Sequence, residues 1–170
     1  MSIESITVSS IMVKEVKTAK ENQTVKSIAK IMTDNNIGSV VIVDNSDPTH
    51  PVGIITERDI VRIAGAEQVL TLQAAARDLM SKPVVTIGLT NSVKDALQQM
   101  ELKDIRRLPV VDKEKKIVGI VTEKDIFRAL MTNQSLIMSF CESFMVEYKP
   151  VYERLGEFIA GEVPRPGGIS

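Results

Sequence analysis

Two short stretches of the sequence carry the same pair of polar side chains at the same spacing. Thr56 and Asp59 belong to VGIITERDIVR, and Thr122 and Asp125 belong to VGIVTEKDIFR. A threonine hydroxyl can donate a hydrogen bond to a phosphate, and a carboxylate can accept hydrogen bonds from the two neighbouring hydroxyls of a ribose. Phosphate and ribose side by side describe a nucleotide, so this chemistry is available twice in one chain.

The same residues also have a purely structural explanation. A threonine that caps a helix, with an acidic residue at the third helical position, forms a capping box or a close variant of it. An acidic residue in the first turn favours the positive end of the helix dipole by about 0.3–1 kcal/mol. That helix end, with its free N–H groups, equally suits a phosphate. Gly53 and Gly119, earlier in the two stretches, indicate a close approach of backbone.

The two motifs belong to a repeat that covers most of the chain. The shift between the copies is 68 residues at Val16 and Val84 and 66 residues at Thr56 and Thr122. The difference falls where NSDPTHP faces the shorter KEKKI, and such turn-forming residues tolerate an insertion in a loop. We therefore predict one repeat at 7–68, a second at 75–132, and a helical tail at 133–170.

Each copy predicts the element order β-α-β-β-α. An early strand is followed by a helix that begins near Thr24 or Ser92 and has apolar residues at helical spacing. Two β-branched strands then form a hairpin, at 37–43 and 52–56 in the first copy and at 105–111 and 118–122 in the second. A unit of about 60 residues is marginal alone because it buries too little surface. We expect a mixed α+β fold in which the two copies pack with pseudo-twofold symmetry and leave two equivalent clefts.

This doubled pattern resembles a known family. IGSVVIVD and IRRLPVVD, each followed by V-G-I-[IV]-T-E-[RK]-D-I, are similar to a tandem cystathionine-β-synthase (CBS) domain pair, the Bateman module, over residues 7–132. The resemblance implies a regulatory protein without catalysis, in which AMP, ADP, ATP or S-adenosylmethionine binds in the clefts. It also implies that the Thr and Asp of one copy face the early strand of the other.

The resemblance places a first cleft around Thr56 and Asp59. The facing residues from the second copy would be Val84, Val85, Thr86, Arg106, Arg107 and Leu108, with Lys124 as a further positive charge. Arg107 lies where the family often supplies a phosphate-binding arginine. Alternatively, Arg106 and Arg107 pair with acidic neighbours.

A second cleft would form around Thr122 and Asp125. Its other residues would be Lys17, Thr18, Ile37, Gly38, Ser39 and Arg58. Gly38 and Ser39 stand where the other copy has its two arginines. Because a charge-assisted hydrogen bond contributes about 1.5–3 kcal/mol against about 1 for a neutral one, we expect the first cleft to bind a phosphorylated ligand more tightly.

The composition argues against several other classes of protein. The sequence has 21 Lys and Arg residues and 22 Asp and Glu residues, so the protein has no overall positive charge that would attract nucleic acid. His50 is the only histidine and Cys141 the only cysteine, and the sequence has no Walker, Rossmann, nucleophile-elbow or zinc motif. We predict no catalytic residues, no bound metal and no cofactor besides the adenosyl ligand. The N-terminus lacks a signal sequence and the apolar runs are too short to span a membrane, which favours the cytoplasm.

The tail and the partners complete the predictions. Residues 133–170 hold five of the six aromatic residues, and the run from Leu136 to Met145 continues the preceding helix at helical spacing, whereas VPRPGGIS is expected to fray. We expect a homodimer to which the tail contributes, and an unknown protein target. Two alternatives stay open, namely a structural dimerisation adaptor with unoccupied clefts and a nucleic-acid-binding regulator.

Overall fold

The computed structural model describes residues 3–65, 73–132, 137, 138 and 140. The first repeat contains α1 (Val8–Ile11), β1 (Thr18–Lys20), α2 (Val25–Asn35), β2 (Ser39–Val43), β3 (Pro51–Thr56) and α3 (Glu57–Gly65). The second contains α4 (Ala76–Leu79), β4 (Ile87–Gly88), α5 (Val93–Lys103), β5 (Arg107–Val111), β6 (Ile117–Thr122) and α6 (Glu123–Met131). The predicted mixed α+β fold and β-α-β-β-α order are confirmed, and each copy has one additional short helix before its first strand.

The two repeats build the same sheet. In each, the first strand is parallel to the second, and the second forms an antiparallel hairpin with the third. Ser39 lies opposite Thr56 in one hairpin, and Arg107 lies opposite Thr122 in the other. The register shifts at equivalent positions in the two hairpins, between Ile42 and Val43 and between Val110 and Val111. The sequence repeat is therefore also a structural repeat, including this irregularity in strand pairing.

The long helix of each repeat begins where the sequence predicts. The side chain of Thr24 accepts a hydrogen bond from the Ser27 N–H, and Ser92 forms a full capping box with Asp95. Both helices end on a left-handed residue with φ of 51°, which is Asn36 in α2 and Asp104 in α5. Asn and Asp are the non-glycine residues that adopt this conformation most readily. Local side-chain chemistry therefore sets both ends of each helix.

Each hydrophobic core is completed by a segment that precedes the other repeat in the chain. Ala76 and Met80, from and just after α4, are buried against the first sheet and α2. Ile3 and Val8, at the N-terminus and in α1, are buried against the second sheet and α5. The short helices are thus exchanged between the repeats, which the sequence analysis did not predict.

The exchange accounts for the glycine of each motif. A Cβ on Gly53 would overlap the Met80 Sδ and lie 2.7 Å from the Met80 Cγ. A Cβ on Gly119 would overlap the Met12 Sδ and lie 3.2 Å from the carbonyl oxygen of Val13. The expected close approach therefore occurs at both glycines, chiefly through a methionine side chain. Each glycine makes room for the exchanged segment.

Backbone hydrogen bonds attach the exchanged segments to the sheet edges. Ser81 and Ile54 exchange two N–H···O bonds, of 3.0 and 3.3 Å. Val13 and Ile120 form the equivalent pair, both of 2.9 Å. The two attachments correspond under the pseudo-twofold symmetry of the pair.

Only a small part of the tail is described. Phe140 contacts Phe127 of α6 edge to face, with ring centroids 6.3 Å apart. The predictions for the rest of the tail and for its frayed end lie outside the described residues. In the part of the chain that the structure describes, no helix has both the length and the apolar character needed to cross a membrane.

Candidate functional site

A cleft of about 350 Å³ lies between the two repeats and joins the residues predicted for the first site. Its walls combine the start of α3 with the segment before β4 and the beginning of β5. Six of the predicted residues line it: Thr56, Asp59, Val84, Val85, Arg106 and Arg107. The Thr and Asp of one repeat therefore face the early strand region and the arginines of the other.

Thr56 and Asp59 are bonded to each other at the entrance to α3. The Asp59 Oδ2 accepts a hydrogen bond of 2.9 Å from the Thr56 N–H and one of 2.7 Å from the Thr56 hydroxyl. The Asp59 N–H donates in turn to the Thr56 Oγ1 at 3.4 Å. The structural explanation of the motif is thus realised, and such caps contribute about 1 kcal/mol to stability.

This bonding limits which groups can contact a phosphate. The hydroxyl proton of Thr56 is directed to Asp59, and the Glu57 N–H donates to the carbonyl oxygen of Gly38 at 3.1 Å. Together with the Asp59 N–H, two of the first three N–H groups of α3 already have acceptors. The free N–H donors expected at this helix end are not free at those two positions. Positive side chains are therefore the better phosphate contacts here.

The second carboxylate oxygen of Asp59 takes no part in the helix cap. Its Oδ1 accepts a hydrogen bond of 3.2 Å from the Arg62 guanidinium. The Arg62 side chain is 74% exposed, so this ion pair is weak and easily exchanged. The Asp59 side chain lines the cleft and is nearly buried. Oδ1 can therefore accept hydroxyl groups while Oδ2 keeps the cap.

Arg107 is the half-buried cation of the cleft. Burial lowers the pKa of Arg107, Glu57 and Asp59 act in the opposite direction, and the positive charge of Arg106 adds to the lowering. An arginine stays charged in a protein, so the loss of water makes an anionic partner more favourable to it. Arg58, which also lines the cleft, brings the number of arginines there to three.

Three residues predicted for this cleft are placed elsewhere. The Leu108 side chain is fully buried in the core of the second repeat. The Thr86 carbonyl oxygen accepts a hydrogen bond from the Gln99 side chain at 3.4 Å. Lys124 is exposed at the start of α6. None of the three is among the residues that line the cleft.

The second motif has the same local geometry as the first. The Asp125 Oδ2 accepts hydrogen bonds of 3.0 and 2.6 Å from the N–H and the hydroxyl of Thr122. Arg128 stands 4.0 Å from the Asp125 Oδ1, in the place that Arg62 takes in the first repeat. Both motifs therefore cap their helices in the same way, with the same carboxylate oxygen left for other contacts.

The residues predicted for the second cleft lie in two places. Gly38 and Arg58 line the first cleft. The others lie in or beside the first sheet: Lys17 is exposed, Thr18 pairs with Val41, Ile37 packs against the first core, and Ser39 lies opposite Thr56. Gly38 of the first repeat lies close to Arg107 of the second, whose Nη1 would be 3.2 Å from a Cβ on Gly38.

Several lining residues were missed by the sequence analysis. They are Ile54, Glu57, Ser81, Pro83, Asp104, Ile105 and Pro109. Glu57 lies inside the motif itself, and Ser81 and Pro83 lie within three residues before Val84. Their positions in the sequence could therefore have indicated that they line the cleft. In the described ranges, no group of three or more His, Cys, Asp or Glu residues is arranged to hold a metal ion.

Comparison with known proteins decides the family. A model of the CBS domain matches residues 8–65 and, a second time, residues 76–132. The chain belongs to the CBS domain family. The two matches are the two repeats, so this is a tandem CBS pair with its cleft between them.

The curated relatives of this CBS pair include longer proteins. An uncharacterized protein of Methanopyrus kandleri is 40% identical over 126 residues, which are 74% of this chain and 63% of the relative. An uncharacterized protein of Methanocaldococcus jannaschii is 35% identical over 93% of this chain and 40% of its own length. The CBS pair thus spans less than two thirds of both.

Some solved CBS structures that share the fold hold adenosyl compounds. A CBS domain protein of Pyrobaculum aerophilum complexed with AMP has a TM-score of 0.67 and 25% identity, over 75% of this chain and all of that one. The CBS domain pair of protein MJ0100, in complex with 5′-methylthioadenosine and S-adenosyl-L-methionine, has a TM-score of 0.65 and 32% identity, over 74% and 96%. These structural relatives bind adenosyl ligands.

Proposed function

We propose that this CBS pair is a regulatory module that senses an adenine nucleotide or a related adenosyl ligand without catalysing a reaction. The candidates are AMP, ADP, ATP and S-adenosylmethionine. One observation carries the proposal: Asp59 from the first repeat and Arg107 from the second line the same cleft. A carboxylate and an arginine across one cleft match the ribose and phosphate of a nucleotide.

Each wall of the cleft would have its own part in binding. Ile54, Val84 and Val85 offer an apolar surface to the adenine ring. The Oδ1 of Asp59 would accept the ribose hydroxyls in place of Arg62, and Arg107 would bind a phosphate. The complexes of related CBS proteins with AMP, 5′-methylthioadenosine and S-adenosylmethionine support this assignment.

Regulation would follow from the composite nature of the cleft. A ligand that contacts walls from two repeats favours the arrangement in which those walls fit it best, and so shifts the equilibrium between arrangements of the pair. The surface that a target protein contacts would change with that equilibrium.

The proposal is tested by ligand-dependent thermal stability. We expect at least one of the four ligands to stabilise the protein, by about 2.7 kcal/mol at 100 times its dissociation constant. We expect Asp59→Asn to weaken binding of that ligand in calorimetry, with Asp125→Asn as the matched control. Because both carboxylates make the same cap, the two variants lose similar folding stability, and a difference in affinity reports the ligand.

Other outcomes would contradict this assignment. A larger loss of affinity from Asp125→Asn would move the main site to the second motif. No response to any adenosyl compound would favour the dimerisation adaptor with unoccupied clefts. Binding of DNA or RNA with a steep salt dependence would favour the nucleic-acid regulator.

We further propose that the protein forms a homodimer through apolar side chains of α3 and α6. Val61 is 70% exposed, Phe127 50% and Met131 65%, although all three are large apolar residues. We expect light scattering to give the mass of a dimer and expect Phe127→Asp to give that of a monomer. Leu102→Asp, at an apolar position of α5 that is 79% exposed, is the control and should leave the dimer intact. A monomeric wild type would overturn the proposal.

A further inference from the structure

Glu57 places a negative charge beside the arginine that would bind a phosphate. A Cβ on Gly38 would lie 3.1 Å from the Glu57 Oε2 and 3.2 Å from the Arg107 Nη1. Both atoms therefore border the space that the missing side chain of Gly38 leaves. All three residues line the same cleft, although Glu57 belongs to the first repeat and Arg107 to the second.

The two side chains are electrostatic partners in the absence of a ligand. Glu57 is the largest stabilising influence on the charge of Arg107, which burial otherwise disfavours. Asp59 also favours that charge but is bonded to Thr56 and Arg62, whereas Glu57 is an exposed side chain on the first residue of α3. A phosphate that approached Arg107 would meet the charge of Glu57 at the same place. Like charges that close to each other oppose binding.

We propose that Glu57 determines the charge specificity of the cleft, because its carboxylate competes with a ligand's phosphate for Arg107. This inference rests on the proposed function and adds a residue that acts on only one class of adenosyl ligand. Anionic ligands bind less tightly than the three arginines alone would allow. Neutral adenosyl ligands are insensitive to Glu57, since nothing on them competes for Arg107.

The second repeat provides a matched control. Glu123 occupies the position in VGIVTEKDIFR that Glu57 occupies in VGIITERDIVR. The residue that corresponds to Arg107 in the first repeat is Ser39, which carries no charge. Glu123 therefore lacks the counterpart of Arg107 for which it could compete with a phosphate, and removal of its charge should not have the same effect.

The experiment compares Glu57→Gln and Glu123→Gln by calorimetry with AMP and with adenosine at one fixed ionic strength. We expect Glu57→Gln to tighten AMP binding about three- to fivefold, the size of one exposed charge interaction, and to leave adenosine binding unchanged. Glu123→Gln should change neither. An unchanged or weakened affinity for AMP in Glu57→Gln would overturn the proposal, and so would equal tightening of AMP and adenosine.

A second measurement separates this inference from the proposed function. The Nε–H NMR signal of Arg107 should shift in ligand-free Glu57→Gln and stay in place in Glu123→Gln. If wild-type protein binds AMP but the Arg107 signal and the AMP affinity ignore Glu57, the inference fails alone. If neither wild type nor Glu57→Gln binds any adenosyl compound, the proposed function fails and the inference fails with it.

Discussion

Replacement of Gly53 by alanine is expected to lower the free energy of unfolding by about 1–3 kcal/mol, the usual cost of an added group in a packed core. The new methyl group would overlap the Met80 Sδ and lie 3.0 Å from the Met80 Cβ, so a rotation of the end of that side chain would not remove the clash. Met80 is buried in the first core, and its displacement would disturb the segment that α4 contributes to that core.

Urea unfolding of four variants checks this expectation: Gly53→Ala, Gly65→Ala, Met80→Ala and the double substitution Gly53→Ala/Met80→Ala. Gly65→Ala is the matched control, because a Cβ at Gly65 in α3 meets no atom within 4 Å. It should be neutral or slightly stabilising, since alanine favours a helix over glycine by about 0.5–1 kcal/mol. Adding Met80→Ala to Gly53→Ala should cost less than the two changes summed, because the smaller side chain removes the clash. Equal stability of Gly53→Ala and Gly65→Ala would show that Met80 does not restrict residue 53.

The sequence predicted the elements because their signals are local. Thr24 and Ser92 cap helices through their own side chains, and the strands follow β-branched runs of the expected length. The exchange of α1 and α4 had no such local signal. Met12 and Met80 occur at equivalent positions, and that pattern is the same whether each packs on its own repeat or on the other. Only the three-dimensional packing of the described residues distinguishes the two arrangements.

The cleft was predictable in its central residues and not at its edges. The motif itself predicted Thr56 and Asp59 at the start of a helix, and the family resemblance predicted that Arg107 lies opposite them. Gly38 and Arg58 line this cleft although the sequence placed them at the other one, because an alignment of two copies assigns each loop to a single cleft. The long side chain of Arg107 reaches Gly38 of the other repeat, where a Cβ would lie 3.2 Å from the Arg107 Nη1.

Part of the exchanged segment lines the cleft, so the contact at the glycine of the motif lies next to the proposed binding site. Ile54 and Ser81 line the cleft and are joined by two backbone hydrogen bonds. Their neighbours Gly53 and Met80 form the contact that seats the exchanged segment. A ligand in the cleft would therefore contact the same segment that links the two repeats. Through this contact, a ligand bound in the cleft would act directly on the relative position of the two repeats.

Arg107→Ser should cause the largest loss of affinity for a phosphorylated ligand. The substitution gives the second repeat the residue that the first repeat carries at the corresponding position, Ser39. A charge-assisted hydrogen bond would be lost, which is about 1.5–3 kcal/mol or roughly ten- to a hundredfold in affinity for AMP.

Calorimetry with AMP and adenosine distinguishes a phosphate contact from a change in cleft shape. Adenosine should lose little affinity in Arg107→Ser, and Arg107→Lys should fall between wild type and Arg107→Ser for AMP, since it keeps the charge but not the planar fork of donors. Equal losses for AMP and adenosine would instead mean that Arg107 supports the cleft walls. In a Glu57→Gln background the penalty of Arg107→Ser for AMP should be larger than in wild type, because no carboxylate then competes with the phosphate for Arg107. That double substitution therefore measures how much of the cleft's selectivity depends on the pair and how much on Arg107 alone.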